Sequence, residues 1–285
     1  MKDRRFVAII ISNRRPDRVY TYDTLRRSGY TGDVIVLIDD EDETAETYRK
    51  KYGEEAVTFS KKKYFDQTDR GDNFPKKNTG LFARNAAFDV AISRGYEYFI
   101  ELDDDYRHFK YRFDDALNYS PKVCKNLDRV FEALVNFVER TKAETICLSQ
   151  GGDFIGGEGN QSAQLLRLSR KAMNSFVFRS SSETRFVSRL NDDVSTYVLN
   201  GNKGKLFFTT YQVSLEQIQT QAQSGGLTEA YLESGTYVKS FYSVMYHPSG
   251  VRVKVLRDRL SPRLHHTVAW RNTAPMILRE SVRKI

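Results

Sequence analysis

Three consecutive aspartates, Asp103, Asp104 and Asp105, close the apolar run that begins at Tyr98. Neighbouring carboxylates repel one another, and taking them out of water is costly unless a positive group pairs with them. At the end of a buried strand such a group suits a hard divalent cation. Mg2+ and Mn2+ take oxygen ligands, commonly one or two carboxylates together with substrate phosphates. Asp103 and Asp105, two apart in extended chain, are expected to point the same way, with Asp104 opposite unless the strand kinks. An exposed turn is the plainer alternative, since aspartate is common there. A second pair, Asp192 and Asp193, stands in "RLNDDVSTYVLN" at an expected helix start. Asn191 or Asp192 can cap the helix there, where acids are favoured by the helix dipole. Only four histidines exist, and two of them, His265 and His266, are adjacent in "SPRLHHTVAWRN". A neutral imidazole can bind a metal, while a His-His pair is otherwise a surface or stacking feature.

The elements that must position these residues alternate in the first half. "RFVAIIIS" reads as a buried strand, and "PDRVYTYDTLRRSG" as a helix with Pro16 in its first turn and Gly29 at its stop. "GDVIVLIDD" is a second strand ending in Asp39 and Asp40, followed by a charged helix, "EDETAETYRKKYG", and a short strand, "EAVTFSK". "NTGLFARNAAFDVAISRG" is a strong helix with Arg84 and Asn85 near its start, and "YEYFIELDDD" is the fourth strand. Strand–helix alternation predicts an open, mostly parallel sheet, with ligands outside the carboxyl ends of the strands. Asp39–Asp40 and Asp103–Asp105 should then face one crevice. The second half is more mixed: a helix in "CKNLDRVFEALVNFVERTKA", a strand in "ETICLSQ" running into a glycine-rich loop, a helix from Asn191, and strands in "KLFFTTYQVSL" and "GVRVKVLRD". No linker, repeat or low-complexity segment divides the 285 residues, so one domain is expected.

The chain carries a formal net charge of +8, unevenly spread. Residues 251–285 hold nine Lys/Arg against two acids, and residues 165–190 hold six against one. Such windows suit a polyanion, nucleotide phosphates or nucleic acid, or are plain solvated surface. "SKKKYF" (60–65) and "FPKKN" (74–78) add further lysines. Cys124 and Cys147 form neither a disulfide framework nor a metal-type spacing, so a reducing compartment is expected. The apolar run Phe6–Ile11 is too short for a signal segment or a membrane span, and no membrane association is expected.

The order helix, apolar strand, aspartate cluster resembles the nucleotide-sugar-binding half of GT-A glycosyltransferases. That resemblance implies an α/β fold: a Rossmann-type, mostly parallel twisted sheet flanked by helices, with a mixed C-terminal acceptor half. Residues 1–106 would bind the nucleotide sugar, and 107–285 would bind the acceptor and complete the catalytic site. It implies Mn2+ or Mg2+ held by Asp103 and Asp105, with His265 or His266 as a further ligand, on the diphosphate of a UDP-sugar. Asp103 and Asp104 would also face the nucleotide. Ser12, Asn13 and Arg14 of "ISNRRP" would hold the uracil, Asp39 or Asp40 would lie by the nucleoside, and Arg84, Asn85, Arg263 and Arg271 would reach the nucleotide or its diphosphate. Asp193 or Asp192 would be the base. The family's usual pair is Glu-Asp, from which Asn-Asp-Asp departs.

The "IELDDDY" strand end, "NDDVSTYVLN", "GGLTEAYLESGTYVKSFYSVMYHPSGVRVKV" (225–255) and "RLHHTVAWRNTAPMIL" (263–278) more closely resemble the TET-associated glycosyltransferases of bacteriophages. That family implies transfer of a sugar from a UDP-glucose or UDP-GlcNAc type of donor to 5-hydroxymethylcytosine, or a related pyrimidine, in phage DNA within the infected host's cytoplasm. A pyrimidine C5 substituent lies in the major groove, where it is approached directly or by flipping the base, and either route needs phosphate contacts from Lys and Arg. The loop "SQGGDFIGGEGN" (149–160) is a candidate acceptor loop. The alternatives are a transferase acting on polysaccharide or protein, and a non-catalytic DNA-binding protein. A sugar nucleotidyltransferase would want a glycine-rich loop after the first strand, which "SNRRPDRVY" lacks.

Overall fold

The computed structural model describes residues 6–154, 166–217, 235, 237–257 and 262–275. Strand β1 (Phe6–Ile11) is buried along its whole length, as a continuous apolar run requires when both faces of a strand are covered. Beside it lie β2 (Asp33–Asp39), β3 (Ala56–Phe59) and β4 (Tyr98–Asp103). The second half adds β5 (Tyr106–Phe113), β6 (Tyr119–Val123), β7 (Thr145–Gln150), β8 (Ser175–Arg179) and β9 (Phe207–Gln217). All nine form one sheet, in the order β3-β2-β1-β4-β8-β7-β9-β5-β6. The pairings from β3 to β4 are parallel; β8 then joins β4 antiparallel, and β7 and β9 pair in parallel. The sheet therefore runs unbroken through residue 106. Strands β10 (Val251–Arg257) and β11 (Pro262–Val268) form a separate antiparallel hairpin.

Eight α-helices are described: α1 (Tyr20–Arg27), α2 (Ala45–Tyr52), α3 (Lys61–Gln67), α4 (Leu81–Ser93), α5 (Leu127–Thr141), α6 (Asp192–Gly201), α7 (Lys239–Tyr246) and α8 (Trp270–Thr273). Alternating residues of each central strand face opposite layers. Ala8, Ile10, Val36, Ile100 and Leu102 pack with Leu25 of α1, Tyr48 of α2 and Phe131 of α5. Val7, Ile9, Leu37 and Phe99 pack with Phe82 and Phe88 of α4 and Val194 and Val198 of α6. This alternation decides where each acid of β4 points.

Four strands were not expected from the sequence: β5, β6, β8 and β11. β8 lies inside the basic window 165–190, yet four of its five residues are buried. The helix expected from Pro16 starts as a 3-10 turn at Pro16–Arg18 and becomes α1 only at Tyr20. The lysines of "SKKKYF" belong to α3, where Lys61, Lys62 and Lys63 pair with Asp39, Asp66 and Asp89. Lys77 likewise pairs with Glu41. These four are therefore engaged within the protein. No described helix is long and apolar enough to cross a membrane.

Candidate active site

The strand order runs β3-β2-β1 and then reverses to β4; the carboxyl ends of β1 and β4 at such a switch point are where ligands bind in open α/β sheets. Phe99, Glu101 and Asp103 point to the α4 layer. There Arg84, only 7% exposed, reaches three carboxylates. Its Nη1 donates to Glu101, its Nη2 to Asp103 Oδ1 at 3.0 Å and its Nε to Asp192 Oδ2 at 2.8 Å. The rings of Phe176 and Phe186 each lie 5.6 Å from the guanidinium carbon. A planar fork with five donors can satisfy three acids around its rim while its faces stay apolar; an ammonium cannot. Burial opposes the charge on Arg84, but Asp103, Asp192 and Glu101 outweigh it and hold its pKa well above the usual value.

Asp104 turns to the other layer. It is buried, and its Oδ2 accepts from Ser12 Oγ at 2.5 Å and from Arg15 Nε at 2.8 Å. The chain bends there. Thr21 of α1 donates through Oγ1 to the Asp103 carbonyl at 2.6 Å and accepts from the Tyr106 amide at 3.0 Å. The Tyr106 hydroxyl accepts from the Asp103 amide at 3.1 Å and donates to the Asn174 carbonyl. The strand ends in a turn at Asp104; Glu101 shares the Arg84 side with Asp103, and Asp105 lies close enough to Asp103 for their charges to repel. Two of the three aspartates have arginine partners, so the expectation that a metal alone relieves their repulsion is corrected. Asp105 has no such partner among the described residues. Burial, then the charges of Asp103 and Asp104, push its pKa up to about 7.

The ends of β1 and β2 complete this side. Asn13 Nδ2 donates to Asp39 Oδ2 at 2.7 Å, the Arg14 amide to Asp42 Oδ2 at 2.7 Å, and Ser12 Oγ lies 2.7 Å from the Tyr48 hydroxyl. Arg14 has φ +55°, a left-handed backbone unusual for a side-chain-bearing residue and commonest where function over-determines the conformation. Asp39 is buried, while Asp40 is exposed and accepts from the Lys61 amide at 2.9 Å.

Asp192 and Asp193 open α6, as expected, but no side-chain cap is formed: Asn191 itself is left-handed, with φ +60°. Asp192 is held by Arg84, whereas Asp193 is half-buried and its Oδ1 accepts from the Val194 amide at 2.7 Å. Burial and the charge of Asp192 push the Asp193 pKa up to about 6.

The hairpin β10–β11 brings His265 and His266 to this region, but not onto Asp103 and Asp105. Among the described residues no three His, Cys, Asp or Glu side chains are grouped to hold a metal. Both imidazoles instead meet Lys171, whose Nζ lies 2.7 Å from His266 Nε2 and 3.3 Å from His265 Nε2. Asn85 also departs from expectation. Its Oδ1 accepts from the Phe186 amide at 2.8 Å and its Nδ2 donates to the Phe186 carbonyl at 2.9 Å, so it braces α4 rather than facing a nucleotide. Arg271 is exposed on α8. The side chain of Arg263, residues 155–160 of the glycine-rich loop and residues 225–234 lie outside the described residues.

Sequence inspection missed Glu101, Arg15, Thr21, Tyr106 and Lys171. Glu101 carried a usable signal, since an acid inside an otherwise apolar strand needs a buried cation. Lys171 carried only the diffuse signal of the basic window 165–190 and Arg15 that of "ISNRRP"; Thr21 and Tyr106 carry none, because a backbone turn and contacts distant in sequence create their roles.

The site gathers six carboxyl groups, Glu101, Asp103, Asp104, Asp105, Asp192 and Asp193, around three cations, Arg15, Arg84 and Lys171. Burial raises Glu101 to about 7 and Asp104 to about 6, and raises Asp192 as well. Buried Glu101 Oε2 and Asp104 Oδ1 have no hydrogen-bond partner among the described residues. Excess hard oxygen donors with raised pKa values fit a divalent cation.

These shifts set the pH dependence of stability. A carboxyl whose folded pKa exceeds its unfolded value binds its proton more tightly when folded, so stability falls as pH rises from about 4 to about 7. Asp72, Asp89 and Glu216 are held low and act below that window. A tenfold change in proton affinity is worth about 1.4 kcal/mol, and 1 kcal/mol shifts Tm by roughly 2–4 °C in a domain of this size. The metal-free protein should therefore melt on the order of 5–10 °C lower at pH 8 than at pH 5. Calorimetric scans in EDTA check this; an unchanged or higher Tm at pH 8 contradicts it.

A family model described as TET-Associated Glycosyltransferase matches residues 6–226. No curated protein matches the sequence. Among solved structures, S. aureus TarS 1-349 in complex with UDP-GlcNAc is 12% identical, with 85% of this chain and 66% of that chain covered and a TM-score of 0.47. Glucosyl-3-phosphoglycerate synthase from Mycobacterium tuberculosis, in complex with Mg2+ and UDP, is 9% identical, with 94% and 88% covered and a TM-score of 0.49. Likenesses at that level carry no functional assignment. The family match is different in kind: it runs from β1 past the end of β9 and takes in all six carboxyl groups, and on that ground the chain belongs to the TET-associated glycosyltransferase family.

Proposed function

We propose that this glycosyltransferase moves a sugar from a UDP-sugar, of the UDP-glucose or UDP-GlcNAc type, to the hydroxymethyl group of 5-hydroxymethylcytosine or a related pyrimidine in phage DNA. The observation that carries the donor half is the surplus of carboxylates at the end of β4, with Asp105 in no ion pair among the described residues. The family match supports the acceptor half. Such an enzyme works in the cytoplasm of the infected bacterium.

Asp103 and Asp105 are the residues that would hold Mn2+ or Mg2+. When bound, that ion supplies positive charge to the diphosphate of the donor. The polar lip of β1 and β2, with Ser12, Asn13, Arg14 and Asp39, forms the nucleoside side of the crevice. Asp40, turned to solvent, marks its rim. Arg84 fixes Asp103 and Asp192 relative to each other, so donor and acceptor sides share one rigid centre. Asp192 is engaged, which leaves Asp193 to take the proton from the attacking hydroxyl. A single displacement by that hydroxyl at the anomeric carbon inverts the sugar's configuration.

The test is direct. DNA containing 5-hydroxymethylcytosine, incubated with UDP-glucose or UDP-GlcNAc and Mn2+, should yield a nucleoside heavier by one sugar in mass spectrometry. Unmodified DNA should yield none. DNA binding without any mass gain across the donors would favour a non-catalytic DNA-binding protein. In the same assay Asp105→Asn should lower the affinity for Mn2+ at least tenfold in calorimetry and remove the product; Mn2+ binding equal to wild type would exclude Asp105 as a ligand.

A further inference from the structure

Lys171 is the cation of the site whose hydrogen bonds go to neutral groups. Arg84 and Arg15 meet carboxylates, and their charges are largely balanced locally. The Lys171 ammonium instead lies between two imidazoles whose rings are 4.4 Å apart, and it forms no ion pair within 4.0 Å among the described residues. A partly buried lysine normally pairs with an acid. Here the imidazoles accept two of its three protons, and the opposite charges of Asp193 and Asp153 act on it only from beyond 4.0 Å. Burial and the neighbouring Lys171 keep His266 neutral, with its pKa pushed down to about 2.

Its place in the fold gives that charge a use. Lys171 lies four residues ahead of β8, whose first residue, Ser175, is in register with Leu102, the residue before the acidic triplet. The intervening Asn174 carbonyl is tied to Tyr106 at the triplet's turn. On the other side, Lys171 and Asp193 feel each other's charge. The ammonium therefore sits near the proposed base, on the segment that leads into the strand paired with β4. The Thr209 hydroxyl, bonded to the Lys171 carbonyl at 3.1 Å, fixes its backbone.

We propose that Lys171, held between His265 and His266, is a diphosphate-binding subsite that contacts the phosphate leaving with the nucleotide. The inference rests on the donor assignment above and extends it. Under it, the two histidines act as acceptors that aim a lysine rather than as metal ligands. The ammonium gives the diphosphate oxygens a charge-assisted hydrogen bond, strongest when the sugar departs and negative charge accumulates there.

The subsite is tested by comparing UDP with uridine, which lacks the diphosphate. In calorimetry with Mn2+ present, Lys171→Met should weaken UDP binding at least tenfold and leave uridine binding within twofold. His266→Ala, which keeps the charge but loosens its support, should weaken UDP about threefold. A measurement on the unmodified protein guards against misfolding of the variants: acetylation of Lys171 by an N-hydroxysuccinimide ester, followed by mass spectrometry, should be slowed by UDP and not by uridine. If wild-type protein binds UDP but K171M binds it equally well, or UDP leaves Lys171 acetylation unchanged, the subsite is wrong and the donor assignment stands. If wild-type protein binds no UDP, the donor assignment falls and takes the subsite with it.

Discussion

Arg84→Met should leave a protein that unfolds far more easily at pH 8 and makes no detectable product. Methionine fills much of the arginine's volume, so the loss is chiefly electrostatic. Three carboxylates, Glu101, Asp103 and Asp192, then share a buried space with no cation between them. Removing one partner from a buried ion pair costs about 3–5 kcal/mol, against a total stability of roughly 5–15 kcal/mol for a typical domain. Acid should partly rescue the variant. Glu101 already has a pKa near 7 with Arg84 in place, and taking the guanidinium away raises it further. At pH 5 Glu101 is then protonated and the missing charge matters less. Urea titrations at pH 5 and pH 8 should show the gap between variant and wild type shrinking by half or more in acid. Arg84→Lys should fall between the two proteins, because an ammonium keeps the charge but cannot serve three acceptors in one plane. Equal stability of wild type and R84M at pH 8 would mean that the three acids do not depend on this residue.

The sequence made the first half of the fold legible because its signals are local. Phe6–Ile11 and the strand ending at Asp39 are unbroken apolar runs, and the helix from Leu81 carries its apolar periodicity within thirteen residues. β5, β8 and β11 escaped for the opposite reason. "YRHFKYRF" and "PRLHHTV" alternate charged or polar residues with few aliphatic ones; β5 and β8 become strands because β9 and β4, distant in sequence, pair with them, and β11 because it folds back on β10 in a hairpin. The same division holds in the site. Asp103, Asp105, Asp192 and Asp193 were visible as unusual local clusters. What could not be seen was which charge meets which. The triplet was expected to relieve its charge on a metal, whereas Arg84 meets Asp103 and Arg15 meets Asp104. Arg84, expected at the nucleotide, is instead the hub of the acids, and the adjacent Asn85 points to a different backbone altogether. A helix turns about 100° per residue, so neighbouring positions face different partners, and only the packing of α4 against β4, α6 and the Phe186 segment decides which. The histidines follow this pattern too, since their chemistry suits a metal while the hairpin register delivers them to a lysine.

Asp193→Asn tests the remaining assignment, the base. Two acids begin α6, and the structure distinguishes them. Asp192 gives Oδ2 to Arg84 and is buried in the core of the charge cluster; Asp193 is half-buried and keeps one oxygen off the helix backbone. A general base works best when its pKa lies near the working pH, and burial with the charge of Asp192 places Asp193 at about 6. Asparagine preserves the shape and can still accept from the Val194 amide, so folding and UDP affinity should be unchanged. Turnover should fall about 100- to 10,000-fold, the usual worth of a positioned base. In the wild type, kcat/KM should rise through pH 6 and level off above it, because only the ionised carboxylate accepts the proton; in D193N that rise should disappear. Asp192→Asn should behave differently, costing stability through Arg84 while keeping the pH 6 step. The stereochemistry of the product supplies an independent check. With Asp193 as base the hydroxyl displaces UDP from the anomeric carbon in a single step, so an α-linked donor should give a β-linked sugar in the proton NMR spectrum of the product. An α-linked product, or full turnover by D193N, would take the base away from Asp193 and point to a route that retains configuration.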